Sequence, residues 1–238
     1  MIRRILTLFT FLMIIINLSG CLYPAKELAQ NKVPSDAQIS MVQTAVDQFQ
    51  NQNNGILPIK TMPSDTPIFE KYIIDFTTLK NNNHLSELPG NSFERGGYFQ
   101  YALVYVETNP TVKLIDVRTA QKLQEVYRKL HIYRQKNQYL PLSGNIAGKY
   151  FEIDFNKLGY AEEQFVISPY SNQSLPIIID TEGNLYIDYR SDLHQEVRNN
   201  DYSHYDDVRY ILVDNYPFLP AYSPKYEIKD NYPVLIEN

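Results

Sequence analysis

The 238-residue chain has no tryptophan, only four histidines and one cysteine, Cys21. A single thiol cannot form a disulfide within the chain, so the fold has to close on its own apolar core. Nine glycines leave few places for close backbone approach. No phosphate-cradling glycine loop, nucleophile elbow or His-Glu-x-x-His zinc helix is present. The histidines stand far apart, at His84, His131, His194 and His204. An excess of one charge sign is also missing, with 22 basic and 27 acidic side chains and a formal charge of −5. Without a basic stripe, nucleic acid is not an expected partner, and an anionic bilayer gains no polybasic attraction.

The chain opens with Arg3-Arg4, the apolar run from Ile5 to Ile16, and Asn17-Leu18-Ser19-Gly20-Cys21. The run is shorter than the roughly 20 residues of a spanning helix and follows two positive charges, the order of a signal peptide. Leu18-Ser19-Gly20-Cys21 resembles the lipobox of bacterial lipoproteins. That resemblance implies cleavage after residue 20 and a lipidated Cys21 (a diacylglycerol, with palmitate-type acyl chains). The plainer alternative is an ordinary secretory peptide followed by a chance cysteine. No later stretch is apolar enough to span. The expectation is a signal peptide over 1–20, a lipid anchor and tether over 21–35 with prolines at Pro24 and Pro34, and everything after Cys21 on the outer face of the cytoplasmic membrane.

An internal repeat organises the rest. Ile39, Val42, Val46 and Phe49 recur three or four residues apart after Ser35 and Asp36, the pattern of a capped amphipathic helix. Then come Leu57-Pro58-Ile59, an apolar segment Tyr72-Ile73-Ile74-Asp75-Phe76, and Leu79. Leu123, Val126, Leu130 and Tyr133 repeat the helix, followed by Leu140-Pro141-Leu142, Phe151-Glu152-Ile153-Asp154-Phe155 and Leu158. Each copy closes with a hairpin signal: Tyr98–Val106 turning at Thr108-Asn109-Pro110, and Leu175–Asp180 turning at Glu182-Gly183-Asn184. The pattern predicts an α+β fold, a tandem duplication of one helix plus a small antiparallel sheet, over 36–117 and 118–200. The join is short enough for one rigid body with two lobes.

Residues 201–238 depart from the repeat. Val208, Ile211 and Leu212 fit a short helix, and Pro217, Pro220, Pro224 and Pro233 break the remainder of the chain into an extended tail. Twenty tyrosines mark the chain, with Tyr202, Tyr205, Tyr216, Tyr222, Tyr226 and Tyr232 concentrated in the tail as a candidate interaction surface. Half-buried rings on strands are the structural alternative.

Within each copy, a helix leading to Asn54-Gly-Ile-Leu-Pro58 or Asn137-Gln-Tyr-Leu-Pro141, then a strand, with Leu88-Pro-Gly-Asn91 before Gly97-Tyr-Phe-Gln-Tyr101 in the first, resembles the soluble head of pseudopilins. The long apolar pilin helix is missing, so the likeness implies a fold and not a filament. Over nearly its full length the chain is similar to an uncharacterised lipoprotein family of Bacillus-like bacteria. The shared residues are Gly20-Cys-Leu-Tyr-Pro24, Leu57-Pro-Ile-Lys-Thr61, Asn109-Pro-Thr-Val-Lys-Leu114 and Lys157-Leu-Gly-Tyr160. Members of that family are sometimes labelled transporter binding lipoproteins, and the similarity implies a Gram-positive envelope.

Chemistry is sparse. Asp201, His204, Asp206 and Asp207 are the one local metal-like cluster, and they read as carboxylates near a helix start. Asp180-Thr-Glu-Gly-Asn184 loosely follows a calcium loop but reads as a hairpin tip. Asp75 and Asp154 occupy equivalent places and read as structural carboxylates more readily than as a catalytic pair. No catalytic residue, metal or cofactor is expected. The expected function is a non-catalytic binding or scaffolding module of the cell envelope, partnered by the membrane through Cys21 and by another envelope protein or wall component. A solute-binding lipoprotein of a transporter is the alternative, and an envelope-acting hydrolase is the third reading.

Overall fold

In the computed structural model of the protein, residues 34–199, 202 and 204–236 are described. The leader, Cys21, the tether through residue 33 and Asp201 lie outside them. Helix α1 (Asp36–Gln52) starts where the Ser35 hydroxyl accepts the Gln38 N–H at 3.4 Å, and it buries Val42, Ala45, Val46 and Phe49. Most of such a helix's stability comes from packing its apolar face, and burial of those side chains contributes roughly 1.5–3 kcal/mol for each large one. Two short helices follow, α2 (Ile68–Lys71) and α3 (Phe76–Asn81). Strands β1 (Phe99–Val104) and β2 (Thr111–Asp116) then pair antiparallel, with Tyr101 opposite Leu114.

The second half opens with helix α4 (Val117–Asn137) and continues through β3 (Leu142–Ala147), β4 (Tyr150–Ile153), β5 (Phe165–Ile167), β6 (Ser174–Asp180) and β7 (Leu185–Ile187). These strands form one antiparallel sheet in the order β3-β4-β6-β5, with β7 also on β6. Helices α5 (Arg190–Asn199) and α6 (Tyr210–Asn215) and a hairpin of β8 (Tyr226–Lys229) and β9 (Tyr232–Leu235) complete the chain. Among the described residues, no helix is long and apolar enough to cross a membrane.

Both faces of the β1–β2 pair are apolar, so each needs a cover. Phe99, Tyr101, Leu103, Val112 and Leu114 pack with the buried face of α1, while Ala102, Val104 and Ile115 pack with Val213, Leu219 and Ala221 from the C-terminal segment. Leu123, Val126 and Leu130 of α4 share a core with Leu175, Ile177 and Ile179 of β6.

The extended tail is thereby an integral layer. Leu114 donates its N–H to Pro217 O (2.8 Å) and its carbonyl accepts the Leu219 N–H (2.9 Å), a one-residue parallel strand addition on β2. Farther along, the Ile187 N–H donates to Tyr222 O (2.9 Å), so the same segment also pairs with β7 of the other half.

Several elements differ from the sequence reading. Tyr72–Phe76 is not a strand: only Ile73 and Ile74 form isolated bridges. The Asp75 carboxylate instead accepts the N–H groups of Thr77 and Thr78 and starts α3. Strands β3 and β5 and helix α5 add to the second half, and the tail folds back as a hairpin where four prolines suggested extended pieces.

Candidate functional site at the junction of the halves

Strand β2 runs into α4 without a loop, and Asp116 is both the last residue of one and the N-cap of the other. Its carboxylate accepts the Arg118 N–H at 3.0 Å and the Arg118 Nε at 2.8 and 3.0 Å, and it also binds Nη2. Asp116 is buried, while the Arg118 side chain is 53% exposed. The hydrogen bonds that Arg118 donates to Asp116 hold the guanidinium in one plane and raise its pKa. Nη1 makes no hydrogen bond among the described residues, and the guanidinium carbon lies 5.1 Å from the Tyr98 ring centroid.

One turn along, the Lys122 ammonium donates to Gln164 Oε1 (2.6 Å) and Glu125 Oε2 (3.2 Å). Tyr160 donates its hydroxyl to Glu125 at 3.0 Å, and burial together with that carboxylate pushes the phenol up to about 12. Arg118 and Lys122 line one side of a cleft of about 580 Å³ whose other lining comes from β5, the Ser168–Asn172 turn, Phe99, Phe218 and Pro34. First half, second half and tail all contribute.

Strand β5 is an edge. The Ser168 N–H donates to Gln173 O (2.8 Å), which sets the antiparallel alternation: Val166 is the hydrogen-bonded partner of Leu175, and the backbone groups of Phe165 and Ile167 point away from β6. Pro176, which has no N–H to give, stands opposite Phe165. Val166 is buried, whereas Phe165 and Ile167 are 48% and 52% exposed. This short strand carries two apolar side chains and an unpaired backbone edge along the cleft.

Below the cleft, the Ser168 hydroxyl donates to Asp192 (2.8 Å) and accepts the N–H groups of Tyr170 and Ser171 (3.0 and 3.1 Å); Ser171 donates to the other Asp192 oxygen at 2.6 Å. Burial raises the Asp192 pKa. The hydroxyl's hydrogen-bonding capacity is committed to this turn: it gives its proton to Asp192, which Ser171 also holds, and accepts two backbone N–H groups, so the group reads as a turn-builder.

The Asp116–Arg118 arrangement recurs. Asp188 holds the Arg190 N–H and guanidinium in the same way (2.5–3.1 Å), and Asp207 holds Arg209 (2.6–3.1 Å). In the third pair the arginine is buried and its Nη1 donates to the backbone carbonyls of Ser223 (3.0 Å) and Pro224 (3.4 Å). The sequence signal was Asp-x-Arg written three times, which the reading of single carboxylates passed over.

Of the residues singled out from sequence, the aspartates each serve a local turn. Asp75 is tied to Thr77 and Thr78, with the Thr78 hydroxyl chiefly lowering its pKa, and Asp154 is tied to Lys157. Neither lines the cleft at the junction. Asp180 accepts the Glu182 and Asn184 N–H groups, the Asn184 amide and the Tyr186 hydroxyl, so its carboxylate belongs to the hairpin tip. Asp207 pairs with Arg209, the His204 ring lies tilted against Tyr205, and no group able to hold a metal ion is found among the described residues.

The tail tyrosines mostly turn inward. Tyr226 is 3% exposed, its hydroxyl accepting the Tyr189 N–H at 2.8 Å, so it offers no contact surface. Tyr202 donates to Asn231, Tyr205 to Asp214 and Tyr216 to Glu196, each at 2.7 Å. Tyr222 is half-buried, and burial pushes its phenol up to about 12. Tyr232 is the exposed one, at 59%, its ring stacked on His194 with centroids 4.6 Å apart.

Comparison with curated proteins and with solved structures gave no match. Residues 35–116, from the N-cap of α1 to the N-cap of α4, match the YphF family N-terminal domain.

Proposed function

We propose that this chain is a lipid-anchored, non-catalytic binding module on the outer face of the cytoplasmic membrane of a Gram-positive cell, with the cleft at the junction of its halves as the partner site. The observation that carries the binding reading is that cleft. It combines an exposed guanidinium donor on Arg118 with an apolar strand edge, while the neighbouring carboxylates and hydroxyls are committed to caps, turns and ion pairs. The anchor reading rests on the Arg3-Arg4 leader and Leu18-Ser-Gly-Cys21.

Tandem duplication is part of the same reading. Its support is backbone geometry: the Asp75 N–H donates to Pro58 O and the Asp154 N–H to Pro141 O, both at 2.8 Å, and the hairpins of both halves lead into Asp-x-Arg starts. A pseudopilin-like head remains a likeness of element order, and no filament role is proposed.

The test is crosslinking of the full chain in cells, with a mislocalised Cys21→Ala form as control. One specific envelope protein, retained by the wild type and lost in the control, is the expected result. Equal recovery in both forms, or none, defeats the reading. The cleft's volume, about 580 Å³, is also that of a small-molecule site, which keeps a transporter's solute-binding lipoprotein as the second reading. A ligand-induced rise in melting temperature on screening solutes separates the two.

A further inference from the structure

Resting on the binding-module reading, we propose that the cleft takes an extended acidic peptide from a partner protein, added as a strand to the free edge of β5. The chain already uses this mode on itself. Its own segment from Pro217 to Leu219 pairs with Leu114 on β2, and Phe218 from that segment lines the cleft. An added strand along β5 therefore lies beside an established strand-addition interface.

The outward backbone groups of Phe165 and Ile167 supply the ladder, and their side chains supply apolar contact on one face. Among the described residues, no other hydrogen bond reaches those backbone groups. At the other end of the same sheet, β3 is interrupted by two register shifts against β4, which makes it a poor template.

A free donor selects the peptide. Nε and Nη2 of Arg118 are taken by Asp116, and the Lys122 ammonium is paired with Glu125, so selectivity lies in one remaining group. Nη1 of Arg118 is the donor left over. The third Asp-x-Arg pair shows what such a donor holds: Arg209 Nη1 bonds the carbonyls of Ser223 and Pro224, an extended proline-containing backbone. Arg118 offers the same donor to an incoming carbonyl or carboxylate, and a carboxylate gains the stronger, charge-assisted bond.

The experiment selects short random peptides against the full chain in detergent micelles and reads amide exchange of the bound state. Expected are peptides with aspartate or glutamate among alternating apolar residues, which slow exchange at Phe165 and Ile167. Ile167→Pro removes an outward N–H while leaving the Val166–Leu175 pairing intact, and it weakens binding on the order of ten-fold. Arg118→Gln removes Nη1 and weakens it by a similar factor, and its melting temperature is measured alongside because the Asp116 carboxylate beneath it is buried.

Three outcomes overturn the proposal: no enrichment over the Ile167→Pro chain, enriched peptides without an acidic residue, or protection elsewhere than β5. Protection of the same amides by a synthetic peptide of residues 22–33 assigns the edge to the chain's own tether and also overturns it. A partner crosslinked in cells equally by wild type and by both cleft variants leaves the binding module standing and removes only this site.

Discussion

Tyr226→Phe tests whether the C-terminal segment is a structural layer or a contact surface. The Tyr226 hydroxyl accepts the N–H of Tyr189 at 2.8 Å and donates to the carbonyl of Ile187 at 3.3 Å. Ile187, Tyr189 and Tyr226 are at most 3% exposed. Phenylalanine keeps the ring and its apolar burial, so the change isolates the hydroxyl. The space left is too small for water, and the Tyr189 N–H stays buried without a partner. An orphaned buried donor costs about 1–3 kcal/mol, so the expected loss is about 2 kcal/mol. For a chain of this size that corresponds to a fall of roughly 4–8 °C in melting temperature.

The assay is urea unfolding of the full chain followed by circular dichroism, with the midpoint lowered and the slope unchanged. Tyr232→Phe is the matched control: that residue is 59% exposed and only stacks on His194, so its change stays within about 0.5 kcal/mol. Equal midpoints for the two variants would refute the structural reading. Loss of a cellular partner on Tyr226→Phe, with stability intact, would restore that residue to an interaction surface.

Three further outcomes rest on the same geometry. Arg209→Met leaves the Asp207 carboxylate and the Ser223 and Pro224 carbonyls unpaired around a buried site and is expected to cost about 3 kcal/mol. Arg118→Met removes a guanidinium that is 53% exposed, and the buried Asp116 keeps the residue-118 N–H, so the loss in the same melt is smaller, about 1 kcal/mol. Gly97→Ala places a Cβ 2.1 Å from the Asn91 carbonyl oxygen and is expected to lower stability by about 3 kcal/mol, because backbone cannot step aside as a side-chain tip can. Glu70, whose Oε1 accepts the Tyr222 N–H, has its pKa raised above 4.5 chiefly by burial, against the pull of that N–H and of Arg209. Its protonated form stabilises the fold below the unfolded value, and that contribution is lost as pH rises through the higher folded value. Glu70→Gln keeps an oxygen for Tyr222, so its stability across that window should fall less than the wild type's.

Local signals carried the sequence reading where local forces decide the structure. Val42, Val46 and Phe49, like Leu123, Val126 and Leu130, declare a helix face by spacing alone, and all six are buried. Tyr72–Phe76 misled because an apolar run fits a strand, although Asp75 followed by two threonines is also a helix start; the choice was made by the tail and β1 occupying the space around Ile73. Helix α5 was missed because its apolar positions Leu193 and Val197 are only two in a polar stretch. The β8–β9 turn was legible in principle: Asp230 and Asn231 both take positive φ, 51° and 64°, as a tight hairpin turn demands. The cleft was not legible, since it exists only after a segment near residue 218 has crossed to strand β2. The three Asp-x-Arg pairs show the same boundary. Each string dictates one local clamp between carboxylate and guanidinium, yet Arg209 became buried structure under Ser223 and Pro224, while Arg118 kept a free donor facing an open cleft. The difference lies in the chain that covers the guanidinium, and that is set by tertiary packing far from the motif.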